Sequence, residues 1–209
     1  HALLPVCVWF SFSLFYIHIQ KKNNMNKKLH VVLDLDETLI HGDVLNVYAN
    51  DQTFKSTFDV PILLRPHALA FLKKSFESFG SVSLYSAAIK EWIDQALLAL
   101  NISKNKFLII MDRSYLKHDL KDLSTIYNTE IAKKLNMNET NTVLVDDSLH
   151  HGTYQPTNFI HIKPYNCLDK HDNELNALYN KLVLIQEKLI SDMDVRMICK
   201  LGLNVEAEL

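Results

Sequence analysis

Three acidic residues follow a short apolar run in the first fifth of the chain. The stretch "LHVVLDLDETLIH" places Asp34, Asp36 and Glu37 directly after residues expected to form a buried strand. Two unit charges about 4 Å apart repel by about 4 kcal/mol at an effective dielectric constant of about 20. A magnesium ion would compensate this repulsion, since it binds carboxylates, waters and phosphate oxygens. The D-x-D spacing alone fits an ordinary acidic turn or a calcium-type loop equally well.

The same acids suggest a reaction. With a cation present, Asp34 can approach a phosphoryl group and attack it, which gives an aspartyl-phosphate. Asp36 is then the natural general acid for the leaving group, and we expect neighbouring negative charge to raise its pKa. The pair Asp146 and Asp147 ends another apolar run, "NTVLVDD".

The order of the predicted elements indicates how these acids come together. Strands alternate with amphipathic helices along the chain, which is typical of a doubly wound parallel sheet in an α/β fold. In such sheets the site lies at the carboxyl ends of the strands. The predicted strands are 29–33, "SVSLYSA", "FLIIMD", "NTVLVDD" and "FIHI"; the predicted helices are "RPHALAFLKKSF", "AIKEWIDQALLAL", "STIYNTEIAKKL" and "DNELNALYNKLVLIQEKLI".

Loop lengths limit what can cover the site. Val44–Tyr48 and Thr53–Val60 flank the polar turn "ANDQ" and predict a β-hairpin flap. Neither this region nor the stretch from Ser86 to Lys121 has room for a large cap domain. An uncapped site accepts a phosphorylated side chain on a protein, whereas enclosing a free metabolite usually needs a lid.

Six segments, in order, resemble one family. They are "LDLDETLIH", "RPHALAFL", "YSAA", "LKDLS", "VDDS" and "DNELNALYNKLVLIQEKLISDMDVR", and together they extend from Lys28 to Arg196. The chain thereby resembles haloacid dehalogenase (HAD)-type phosphatases, most closely the branch of small RNA polymerase II C-terminal-domain phosphatases (FCP/SCP, NLI-interacting-factor-like). The resemblance implies a HAD-like fold, Mg²⁺ as cofactor and a phosphorylated protein as substrate.

The resemblance also assigns roles. Asp34 is similar to the family nucleophile and metal ligand. Asp36 resembles the acid/base, which also binds the metal through its backbone carbonyl. Thr38, Ser86 and Lys121 take the positions that serve the phosphate: a threonine that steadies the loop, a hydroxyl that binds phosphate, and a lysine that neutralises nucleophile and phosphate. Without the resemblance, Ser86 is predicted as a helix N-cap, a role that is compatible with phosphate binding. A lysine such as Lys121 would, without the resemblance, more often be a solvated surface residue.

Two further acids complete the expected metal ligands. Asp147 stands where this branch has Asn and is expected to bind the metal, with Asp146 beside it. Compared with Asn, Asp147 adds a negative charge, and Leu149 stands where the branch has proline. Many other HAD-type enzymes also have two acids at the positions of Asp146 and Asp147. For Arg65 a structural role, pairing with a loop carbonyl, is an alternative.

Three functions stay open at this point: an active magnesium-dependent phosphatase of phosphoserine, phosphothreonine or phosphotyrosine in proteins, a small-molecule phosphatase, and an inactive phospho-binding scaffold. The net charge of -2 and the absence of a basic stripe give no reason to expect a nucleic-acid partner. With four glycines there is no Gly-rich phosphate loop. The three cysteines form no zinc spacing, so a reduced, intracellular chain is expected.

The sequence predicts three regions: an apolar segment over 1–24, a phosphatase domain over 25–199 and a tail over 200–209. Residues 2–19 carry no Asp, Glu, Lys or Arg. As a helix they would span about 27 Å, marginally enough for a bilayer core. Three alternatives follow: a non-native or dispensable extension before Met25, a membrane anchor that leaves the domain on the cytoplasmic or nuclear side, or packing of the segment on its own domain or on a neighbouring copy, which would give an oligomer.

Overall fold

The computed structural model describes residues 28–48, 50, 53–191 and 193–200. Its strands are β1 (His30–Leu33), β2 (Ile40–Gly42), β3 (Phe54–Lys55), β4 (Pro61–Leu64), β5 (Ser81–Tyr85), β6 (Ile110–Met111), β7 (Thr142–Asp146) and β8 (Phe159–His161). Its α-helices are α1 (Ala68–Ser78), α2 (Lys90–Ala99), α3 (Leu123–Tyr127), α4 (Glu130–Lys134), α5 (Glu174–Ile190) and α6 (Val195–Lys200). Short 3-10 turns cover Lys104–Lys106, Arg113–Tyr115 and Leu149–Gly152.

The main sheet has five parallel strands in the order β6-β5-β1-β7-β8. In the centre, Val31 of β1 lies opposite Val82 of β5 on one side and Val143 of β7 on the other. Because the three strands run in the same direction and in register, their carboxyl ends meet at one edge. The predicted doubly wound α/β sheet is confirmed.

Both faces of this sheet are covered, as a parallel sheet requires. Successive side chains of a strand point to opposite faces, so Val31 and Leu33 join the large cluster with helices α1, α2 and α5, while Val32 joins the smaller one with α3 and α4. The predicted apolar face of the last long helix is confirmed, since all five of its residues are buried: Leu175, Leu178, Leu182, Ile185 and Leu189.

A second, three-stranded antiparallel sheet has the order β2-β4-β3. The predicted pairing of Val44–Tyr48 with Thr53–Val60 in a hairpin is therefore wrong. β4 is the central strand, and it pairs with β2 and β3. The segment 44–48 turns away instead, because the Asp43 carboxylate accepts the backbone N–H groups of Val47 and Tyr48.

The predicted helix in "STIYNTEIAKKL" is two short helices, α3 and α4. Thr129 separates them, because its backbone is extended and its hydroxyl accepts the N–H of Ala132 as the N-cap of the second helix. The predicted start of α1 at Pro66 lies two residues early.

The predictions for the N-terminal run, 2–19, and for 201–209 lie outside the described residues. Among the residues that are described, no helix is long and apolar enough to cross a membrane. Within the same residues, the region 41–65 holds only the small sheet, and 86–121 holds α2, β6 and two 3-10 turns. The described chain thus has no large cap domain.

Candidate active site

The centre of the site is a buried lysine between two carboxylates. Asp34 follows β1 and continues its ladder by donating its backbone N–H to the Val145 carbonyl, at 2.9 Å. Asp146 ends the neighbouring strand β7. Nζ of Lys121, which is fully buried, donates to Oδ1 of Asp34 and, at 2.6 Å, to Oδ2 of Asp146. The alternative that Lys121 is a surface lysine is therefore wrong.

Three carboxylates converge at this edge of the sheet. Asp34, Asp146 and Asp147 each offer an oxygen within 4.8 Å of the others. An all-carboxylate set fits a hard, oxygen-liganded cation such as Mg²⁺. Both oxygens of Asp146 already accept protein hydrogen bonds, one from Lys121 and one from the backbone of Ser148. Asp34 and Asp147 are therefore the better placed direct ligands, with Asp146 orienting Lys121.

The charge balance supports the same assignment. Each carboxyl group of this region that ionises adds a negative charge, whereas Lys121 supplies a single buried positive charge. The acids are Asp34, Asp36, Asp146 and Asp147. Burial, and then the charge of Asp34, raise the pKa of Asp147 to about 6. The same two causes raise the pKa of Asp146. Burial acts to lower the pKa of Lys121, but Asp34 and Asp146 outweigh it and the pKa is raised, which keeps the lysine charged.

Asp36 lies on the loop after β1, two residues beyond Asp34. Its Oδ1 accepts the indole N–H of Trp92 at 2.6 Å, and its Oδ2 lies 3.5 Å from the Ser86 hydroxyl. The pKa of Asp36 is raised to about 6. We expected the raised pKa, but burial is its largest cause and the charge of Asp34 comes second. The side chain of Asp36 is not part of the three-carboxylate group, and its contact with a metal through the backbone stays a prediction.

The loop that carries Asp36 has an unusual backbone. Glu37 has φ 58°, in the left-handed region that favours glycine. Its carbonyl accepts the backbone N–H of Tyr165 at 2.7 Å and Nη1 of Arg65 at 3.3 Å. Arg65 also donates to the carbonyl of Thr38. The alternative that Arg65 is a structural residue bonded to loop carbonyls is thus confirmed. Arg65 stabilises the conformation of this loop.

The predicted phosphate-binding residues lie just below the site. Thr38, Ser86 and Lys121 are fully buried, and none of them lines the cavity. Ser86 follows β5, donates its backbone N–H to the Met111 carbonyl, and accepts the N–H of Ala88 at 3.0 Å. Ser86 thus caps the turn before α2, which is compatible with its predicted role; the phosphate-binding roles of all three stay predictions.

An open cavity of about 500 Å³ lies above these residues. It is lined by Asp34, Asp36, Glu37, Ala87, Ala88, Ile89, Trp92, Arg113, Asp146, Asp147, Ser148 and His151. Three of these residues, Trp92, Arg113 and His151, were not predicted from the sequence. Arg113 is held by Ala87 and Ala88, whose carbonyls accept its Nε and its backbone N–H. Burial, and then the charge of Lys121, lower the pKa of His151 to about 4, so its ring is neutral at pH 7.

A signal for Trp92 existed in the sequence. It comes six residues after Ser86, at the start of the helix that follows a strand ending in the site. Helix starts at this edge of a parallel sheet face the ligand crevice. No comparable signal marks Arg113 or His151, since both lie on turns whose direction depends on tertiary contacts.

The fold and the site together define a class. A parallel α/β sheet that has no large cap within the described residues and carries Asp34 at the end of its central strand, with Lys121 and paired acids beside it, is that of a HAD-type phosphatase. A family model described as NLI interacting factor-like phosphatase matches residues 29–196. The chain therefore belongs to the NLI interacting factor-like phosphatase family.

Two individual proteins are similar to this chain in sequence. CTD small phosphatase-like protein 3 of Caenorhabditis elegans is 27% identical over 176 residues, which are 78% of this chain and 56% of that protein. Uncharacterized protein 037R of Frog virus 3 (isolate Goorha) is 28% identical over 127 residues, 58% of this chain and 59% of that protein. The chain thus spans less than two thirds of either relative.

Solved structures share the fold. Fcp1, described as an essential RNA polymerase II CTD phosphatase, has a TM-score of 0.63 at 15% identity and covers 86% of this chain and 71% of its own. A fission yeast Fcp1 variant bound to beryllium fluoride has a TM-score of 0.51 at 17% identity, over 82% of this chain and 54% of its own. At these identities the likeness concerns the fold alone.

Proposed function

We propose that this chain is a magnesium-dependent phosphoprotein phosphatase that works through an aspartyl-phosphate on Asp34. The observation that carries the proposal is the buried ion-pair group of Asp34, Lys121 and Asp146, with Asp147 within 4.8 Å. A carboxylate held this way is shielded from solvent and aimed at an open cavity. Membership of a phosphatase family supports the same chemistry.

Asp34 and Asp147, with the backbone of Asp36, would hold the Mg²⁺. Bound there, the ion would offset the repulsion between the carboxylates and a phosphate dianion. Lys121 stays charged and donates to Asp34, so it would help to neutralise the negative charge of the phosphoryl oxygens during the attack. Ser86, at the end of β5, is the hydroxyl expected to donate to one of those oxygens.

The reaction then has two steps. An oxygen of Asp34 forms a bond to phosphorus as the bond to the leaving oxygen breaks, and Asp36 gives its proton to that oxygen. In the second step the ionised Asp36 accepts a proton from a water molecule that attacks the phosphorus, and Asp34 is released. The raised pKa of Asp36, about 6, suits a group that acts as acid and then as base near neutral pH.

The open cavity favours a macromolecular substrate. The described chain has no cap, and exposed apolar side chains such as Ile89 lie at the cavity. A phosphorylated serine, threonine or tyrosine side chain can enter from solvent. One relative is a CTD small phosphatase-like protein, and the similar Fcp1 structure is that of an RNA polymerase II CTD phosphatase. The missing lid counts against a small-molecule phosphatase, and the complete acid set counts against an inactive scaffold.

Steady-state phosphate release tests the proposal. The substrates are phosphoserine and phosphotyrosine peptides and a sugar phosphate, each with Mg²⁺ and with EDTA. We expect turnover of phosphopeptides that needs Mg²⁺ and is abolished in Asp34→Asn, because an amide cannot form the acyl-phosphate. The matched control is Asp169→Asn, an exposed loop carboxylate outside the site. Full activity in EDTA, unchanged activity of Asp34→Asn, or a preference for the sugar phosphate would contradict the proposal.

A further inference from the structure

The indole of Trp92 is the best hydrogen-bond partner of the Asp36 carboxyl group. Its N–H donates to Oδ1 at 2.6 Å, whereas the Ser86 hydroxyl is 3.5 Å from Oδ2, beyond the usual range of an O–H···O hydrogen bond. An indole N–H is a donor only and cannot accept a proton in return. The two oxygens of this carboxyl group are therefore not equivalent.

We propose that Trp92 is a positioning residue that reserves Oδ1 of Asp36 as an acceptor and leaves Oδ2 to carry the proton for the leaving group. The inference rests on the proposed function. Oδ2 is the oxygen on the side of Ser86, where the phosphate is expected. In the first step the proton moves from Oδ2 to the leaving oxygen as its bond to phosphorus breaks and the Asp34–phosphorus bond forms.

The small sheet fixes the indole in place. A Cβ on Gly42 of β2 would lie 3.0 and 3.2 Å from two carbons of the Trp92 six-membered ring. The Phe58 ring, on the turn between β3 and β4, is tilted against the indole at 6.1 Å between centroids. Gly42 thus gives the indole the space it needs, and the small sheet sets the direction of its N–H.

A change of leaving group separates this role from a merely structural one. An alkoxide leaving group, as from phosphoserine, needs a proton in the transition state, whereas p-nitrophenolate is stable without one. General acid catalysis contributes about 10²- to 10⁴-fold. Trp92→Phe keeps an aromatic side chain but removes the N–H donor together with one ring of the indole, so it should release serine peptide about 10- to 100-fold more slowly and p-nitrophenolate at nearly the wild-type rate.

The measurement is the first turnover of the full chain with enzyme in excess over phosphoserine peptide or p-nitrophenyl phosphate. Under these conditions the rate reports departure of the leaving group and not hydrolysis of the intermediate. Gly42→Ala, which displaces the indole by a few tenths of an ångström and keeps its N–H, should show a smaller loss in the same direction. Phe76→Leu, which removes an aromatic contact with Phe107 outside the site, should leave the ratio of the two rates unchanged.

A second readout does not depend on activity. The ¹H–¹⁵N signal of the Trp92 indole, assigned by its loss in Trp92→Phe, should shift in Asp36→Ala because its acceptor is gone. Equal slowing of both substrates in Trp92→Phe, no slowing of either, or an indole signal that Asp36→Ala does not move would overturn the inference. A wild-type chain that releases neither leaving group would instead overturn the proposed function, and this inference with it.

Discussion

Arg65 joins three segments that the sequence keeps far apart, and its replacement by methionine should destabilise the chain strongly. The buried guanidinium donates to both carboxylate oxygens of Asp172, at 3.0 and 2.8 Å. It also donates to the carbonyls of Glu37, Thr38 and Lys163. Methionine would fill much of the space and restore none of these bonds.

The size of the effect follows from burial. The side chain of Arg65 is fully buried and that of Asp172 is 6% exposed, so solvent cannot replace the lost partner. Removing one member of a buried ion pair costs about 3–5 kcal/mol. Losing donors to three carbonyls places Arg65→Met in the upper part of that range. For a chain of this length, about 4 kcal/mol lowers the unfolding midpoint by about 8–16 °C.

Thermal unfolding followed by circular dichroism measures this shift. The double variant Arg65→Met with Asp172→Leu should recover part of the loss, because it leaves no unpaired buried charge. Lys133→Met, which breaks an exposed pair with Glu130, is the control and should move the midpoint by no more than about 2 °C. A midpoint for Arg65→Met within about 3 °C of wild type would refute the assigned role.

Four further outcomes are expected. Because the pKa of Asp147 is about 6, protons compete with Mg²⁺ as the pH falls, and calorimetric Mg²⁺ affinity should be about tenfold weaker at pH 5 than at pH 7.5; equal affinities would contradict the ligand assignment. Lys121→Met should abolish phosphopeptide turnover, because Asp34 loses its buried cation; retained turnover would contradict its role. Burial, and then Lys28, lower the pKa of His30 from 6.5 to about 4, so the folded state gains stability that is complete above pH 6.5. Relative to His30→Gln, the wild-type chain should therefore lose about 3 kcal/mol of unfolding free energy in urea titrations as the pH falls toward 4; a difference between the two chains that does not change with pH would exclude His30 as the source. Deleting residues 1–24 should leave turnover intact, and comparing sedimentation with membranes and oligomeric state of the two chains decides between anchor, packing and dispensable extension.

The sequence was sufficient for the features that depend on order along the chain. Asp34 and Asp146 end apolar runs, and the parallel topology places such ends together, so their meeting could be predicted. Lys121 could be placed only through resemblance, because nothing in "LKDLS" indicates that its ammonium is fully buried. Its burial depends on two carboxylates from other strands.

The errors have local physical causes. The apolar composition of 44–48 favoured a strand, yet the Asp43 carboxylate captures two backbone N–H groups there and turns the chain. Thr129 divides one predicted helix, because its hydroxyl competes for a backbone donor. The sequence predicted Trp92 only as part of an amphipathic helix. Its hydrogen bond to Asp36 could not be predicted, because the bond forms only when α2 packs beside the loop.

The strand order places the groups proposed for metal binding and those proposed to face the leaving group on opposite sides of Asp34. Besides Asp34, which follows β1 itself, the acid that would hold the metal is Asp147, at the end of β7 on one flank of β1. The groups around the leaving group, Ser86, Trp92 and Arg113, come from β5, β6 and the segments that follow them on the other flank. Under the proposed function, substitutions on the second flank would therefore alter which phosphorylated side chain is accepted while the flank proposed to bind the metal keeps its geometry. Such an arrangement lets substrate preference diverge between duplicated copies of one catalytic domain without rebuilding its chemistry.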